Sequence, residues 1–89
     1  MFGRSQDDRP PLQRALDAAA TLKPGTWESV EALAQLAVAC QGSPDAARIY
    51  RTAAEAAAQL KAGTFESVRA LVWLHRAAEG LRPADTPRG

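Results

Sequence analysis

The sequence predicts an all-α protein built from two tandem helix–turn–helix repeats of about 38 residues, packed as a small four-helix domain. Three observations predict it. Alanine, the strongest helix former, is the commonest residue and β-branched residues are sparse. A twelve-residue stretch recurs: Leu22-Lys23-Pro24-Gly25-Thr26-Trp27-Glu28-Ser29-Val30-Glu31-Ala32-Leu33 returns 38 residues later as Leu60-Lys61-Ala62-Gly63-Thr64-Phe65-Glu66-Ser67-Val68-Arg69-Ala70-Leu71, identical at nine of twelve positions. Helix start and stop signals then fall at matching places in both copies.

Asp8 with Pro10 and Pro11 opens a first helix over 9–23, because proline is tolerated in the first turn. Gly25 and Gly63 follow helical runs ending Leu-Lys, where a C-terminus favours a residue that accepts positive φ. Thr26 and Thr64 are placed to cap the next helix, with Glu28 and Glu66 in its first turn against the helix dipole. The spacing therefore predicts helices over 27–41 and 65–79. Ser43-Pro44-Asp45 starts the remaining helix, over 44–62. Repeat one spans 9–42 and repeat two 43–80. Residues 1–8 read as a flexible arm. Residues 81–89, with Pro83, Pro87 and Gly89, read as a flexible tail.

Short connections force neighbouring helices antiparallel, so two hairpins should pack with pseudo-two-fold symmetry. An open stack of hairpins is the alternative. At about 100° per residue the second helix buries Trp27, Val30, Leu33, Ala34, Leu36 and Ala37. The fourth, by the same reasoning, buries Phe65, Val68, Leu71, Val72, Leu74 and Ala78. The third buries Ile49, Tyr50, Ala53, Ala56, Ala57 and Leu60, with Arg48, Arg51, Glu55 and Gln59 outward. The first buries Leu12, Ala15, Leu16, Ala19 and Leu22. Few of these side chains are large. A core that thin favours association with a partner or with another copy.

Trp73 falls opposite the apolar face of the fourth helix, where the first repeat has the polar Gln35. With Arg69 and Arg76 beside it, it has the aromatic-plus-arginine make-up of a binding hot spot. Trp73, Arg69 and Arg76 are therefore the candidate partner-binding residues. The alternative is that the tail after Gly80 folds back over Trp73, or that Trp73 packs at a seam between hairpins.

The formal net charge of +1 carries no basic footprint for nucleic acid and argues against a basic membrane-surface helix. There is neither an apolar run of spanning length nor an export signal, and Cys40 is the lone cysteine, so the expected location is the cytoplasm. Arginine- and alanine-rich usage hints at a bacterial source. One thiol and one imidazole, Cys40 and His75, do not make a metal site. No cofactor is expected. The Leu-Lys-x-Gly-Thr turn lacks the Gly-Lys-Ser/Thr ending of a phosphate loop and reads as turn and cap.

No catalytic constellation emerges, and the leading expectation is a non-enzymatic protein–protein interaction module that binds another protein or itself. The alternative is helix–turn–helix DNA binding, with Arg48, Arg51, Arg69, Arg76 and Arg82 as phosphate contacts. An enzyme or small-molecule carrier would need a pocket between the hairpins.

Overall fold

The computed structural model describes residues 8–81. Apart from Asp8 and Leu81, the expected arm and tail lie outside the described residues. Four helices and no strand are found among them: α1 (Pro11–Ala19), α2 (Trp27–Ala39), α3 (Pro44–Ala58) and α4 (Phe65–Leu81). None of these helices is long and apolar enough to cross a membrane.

Three of the four starts follow the capping chemistry of the sequence. α1 begins at Pro11 rather than at 9, with Pro10 at the N-cap and no side-chain cap, so Asp8 does not cap it. Thr26 Oγ1 accepts from the Ser29 amide at 3.0 Å, and Ser29 Oγ accepts from the Thr26 amide at 3.4 Å. This is a reciprocal capping box in which serine takes the usual place of glutamate. Ser67 goes further at the head of α4, where its Oγ accepts from both Gly63 N and Thr64 N at 3.0 Å. It also donates to Thr64 O at 2.6 Å, while Thr64 Oγ1 accepts from Ser67 N at 3.1 Å. Ser67 is 1% exposed, so its loss would strand amides away from water. Ser67→Ala is expected to cost about 1–2 kcal/mol, read from urea unfolding. Ser43 Oγ caps α3 by accepting from Asp45 N at 3.0 Å, with Pro44 in the first turn.

The ends differ from expectation. α1 stops at Ala19 rather than 23, because Thr21 N and Leu22 N turn back to Ala18 O and Ala19 O in i→i−3 bonds ahead of Pro24. α3 stops at Ala58 in the same way, with Gln59 N and Leu60 N bonded to Ala56 O and Ala57 O. The turn after α2 uses Gly42 at φ 90°, a conformation open to glycine. Gly80 does not end α4, which continues to Leu81.

α2 is the centre of the molecule and packs mainly against α3 and α4; α1 lies at its edge and approaches α2 alone. The four helices therefore do not close into a ring. Two apolar clusters fill the contacts. Val30 and Ala34 of α2 meet Ala53 of α3 with Ala70 and Leu74 of α4. Leu36, Ala37 and Cys40 meet Ala46 and Ile49 of α3 with Ala77 of α4. Most of these side chains are alanine, which lets the backbones come close.

The expected faces of α2 and α3 are buried or half-buried as read. Those of α1 and α4 need correction. No residue of α1 is buried: Leu16 and Ala19 are half-buried, while Leu12, Ala15 and Leu22 are exposed. α4 is rotated away from the expected face. Leu74 is buried and Ala78 half-buried as read, but the helix packs by Ser67, Ala70, Leu74 and Ala77 and leaves Phe65 77%, Val68 59%, Val72 50% and Leu71 40% exposed. The reason is steric: a narrow stripe of serine and alanine allows a closer approach to α2 than a face bearing phenylalanine and valines.

Candidate interaction surface

The outer face of α4 is a continuous apolar stripe. Phe65, Val68 and Val72 follow one another at helical spacing, with Leu71 beside them. All four rank among the exposed large hydrophobics of the described residues. The stripe has a basic border. The Arg69 guanidinium lies 6.0 Å from the Phe65 ring centroid, and its Nε donates to both oxygens of Glu31 on α2 at 3.0 and 3.1 Å. The Arg76 guanidinium sits over the Trp73 ring at 5.1 Å, a cation–π geometry. His75 is exposed on the same face, its Nε2 3.9 Å from Glu79 Oε2.

Of the three residues singled out in the sequence, Arg69 and Arg76 are exposed at the border of this stripe. Trp73 is half-buried and packs against the cluster of Val30, Ala34, Ala53, Ala70 and Leu74. Its side of α4, opposite the apolar face in the leading sequence reading, is a packed seam, as in the alternative reading. Cover by the tail beyond Leu81 lies outside the described residues. The other tryptophan ties the same seam from α2, donating from Trp27 Nε1 to Lys61 O at 3.1 Å.

What sequence reading missed was the exposure of Phe65, Val68, Leu71 and Val72. A signal was present: Trp73 has Ala70 at i−3 and Ala77 at i+4, with Leu74 beside it, so an apolar stripe runs along its side of the helix.

Cys40 is 5% exposed among Leu36, Ala37, Ala46 and Ile49. A thiol in such surroundings is a core side chain. Among the described residues no three His, Cys, Asp or Glu side chains converge as a metal site. The Gly-Thr turns spend their hydrogen bonds internally: Ser29 and Ser67 occupy the amides that an anion would need.

A second apolar feature lies on the far side of α2. Ala15, Ala18, Ala19 and Leu22 of α1 and the following segment form one wall of an open groove. Ala32, Gln35, Leu36 and Ala39 of α2 form the other.

Compared with known families, with curated proteins and with solved structures, the chain matches none.

Proposed function

We propose that the chain is a non-enzymatic protein–protein interaction module, composed of two tandem helical hairpins, α1–α2 and α3–α4, stacked in open fashion. The observation that carries this reading is the exposed stripe of Phe65, Val68, Leu71 and Val72 on α4. Contiguous exposed apolar surface with a polar rim marks interaction sites on small proteins. Here Arg69 and Arg76 supply the rim, and Trp73, packed beneath, positions Arg76. The composition also favours protein over DNA as partner. A base-reading helix presents polar side chains to the groove, whereas the free face of α4 is phenylalanine, valine and leucine.

A photo-crosslinking residue placed at Val68 or Val72 tests the reading. Expressed in cells, both positions are expected to give discrete adducts with protein, and Arg51 on the outer face of α3 none. Adding Phe65→Glu should abolish the adducts while the helical circular dichroism stays unchanged. If neither Val68 nor Val72 forms a protein adduct, α4 is not an interaction surface and the reading fails.

A further inference from the structure

The outer face of α4 and the α1/α2 groove are related to each other by the sequence repeat. Adding 38 to the groove residues of α1, Ala15, Ala18 and Ala19, and to Leu22 gives Ala53, Ala56, Ala57 and Leu60. Adding 38 to those of α2, Ala32, Gln35, Leu36 and Ala39, gives Ala70, Trp73, Leu74 and Ala77. All eight counterparts belong to, or pack against, the two apolar clusters that α2 fills. The groove thus has the composition of the surface on which α2 lies. It is identical at seven of eight positions, the difference being Gln35 for Trp73.

The element lying on that inner surface has its own counterpart. α2 presents Trp27, Val30, Ala34 and Ala37 to α3 and α4, with Val30 and Ala34 fully buried. The same positions of α4 are Phe65, Val68, Val72 and His75, the exposed stripe. So one end of the molecule carries an uncovered copy of the inserting face, and the other end an uncovered copy of the receiving groove. Leu12 and Leu22, the remaining exposed large hydrophobics, are the counterparts of Tyr50 and Leu60, which pack on the cluster around Val30.

We propose that the occupant is a second copy of this chain: α4 of one copy inserts into the α1/α2 groove of the next, repeating between molecules the contact that α2 makes with α3 and α4 within one. This rests on the interaction-module reading above and names its partner. Two features support the fit. The bulk added to the inserting face, valine for Ala34 and histidine for Ala37, meets a groove in which the flexible Gln35 replaces the indole of Trp73. Charge is also conserved in sense. Within the chain Glu31 of α2 pairs with Arg69 of α4. In the stacked contact Arg69 takes the place of Glu31, and Glu31 of the next copy takes the place of Arg69, so opposite charges face each other again. The contact is heterologous and leaves a free face and a free groove at the ends, so assembly is open-ended rather than a closed dimer.

Complementation tests this directly, using the full chain and light scattering over a range of concentrations. V68E/V72E disables the face and keeps the groove; Ala39→Arg disables the groove and keeps the face. Ala18→Arg is a second groove variant, and circular dichroism shows which variants are folded. The wild type is expected to gain mass with concentration, each folded variant to remain at the 9.5 kDa of one chain, and an equimolar mixture of face and groove variants to reach twice that mass. A groove variant that still self-associates would overturn the proposal, since it would show face-to-face pairing. So would a wild type that stays monomeric at millimolar concentration, or a mixture that does not pair. Adducts at Val68 with a different protein, alongside a monomeric wild type, would sink the stacking and leave the interaction module standing; no adducts at all would remove both.

Discussion

Val30→Asp is expected to leave the protein unfolded at room temperature, whereas Val68→Asp, at the equivalent position of the repeat, is expected to leave it folded. Val30 has no exposed surface and sits among Ala34, Ala53, Ala70 and Leu74. The side chains of that cluster are apolar, so a carboxylate there would be desolvated among them. That costs several kcal/mol, comparable with the whole stability of about 5–15 kcal/mol of a typical domain. Val68 is 59% exposed, and a charge at such a position changes stability by roughly 0.5 kcal/mol. Far-ultraviolet circular dichroism and tryptophan fluorescence read both outcomes, because Trp27 and Trp73 are half-buried in the packed seam. Equal damage from the two substitutions would mean that α4 packs by its other face.

Leu74→Ala is expected to be the costliest truncation in α4, at about 2–5 kcal/mol. Leu74 is 8% exposed and is the largest side chain that α4 buries. Its fully buried neighbours are Val30, Ala34, Ala53 and Ala70, with larger side chains such as Trp73 and Tyr50 packed at the margin of the cluster. Leu71→Ala, three residues earlier at 40% exposure, is expected to cost under about 1 kcal/mol. Urea denaturation of the two variants separates them, and similar losses would contradict the orientation of α4.

These contrasts show where the sequence was legible. The four helices, their order and most of their starts follow from local chemistry: Pro11 at the first position of α1, the Thr26–Ser29 box, Ser43 ahead of Pro44, and Thr64 with Ser67. The packed faces of α2 and α3 were legible too, since each has one apolar side and one polar side; Arg48, Arg51, Glu55 and Gln59 leave α3 no choice. The helix ends were less so. Gly80 resembles a stop signal, yet α4 runs through it to Leu81.

α4 is where periodicity lost its power. It is apolar on two sides, Phe65-Val68-Leu71-Val72 on one and Ala70-Trp73-Leu74-Ala77 on the other. Weighting by size points to the first, and the same weighting makes Trp73 a misplaced surface residue. Sequence by itself determined the helical class, the four segments, the caps of α2, α3 and α4 and the internal repeat, because each depends on residues within a few positions of one another or on direct comparison of two stretches of chain. Only the tertiary structure decided which side of α4 faces inward and that α1 stays at the edge. Those choices depend on how closely two helices can approach, which is a property of the facing pair: an alanine-lined stripe on α4 meets Val30, Ala34 and Ala37 of α2 at short range, while the bulkier stripe is left outside.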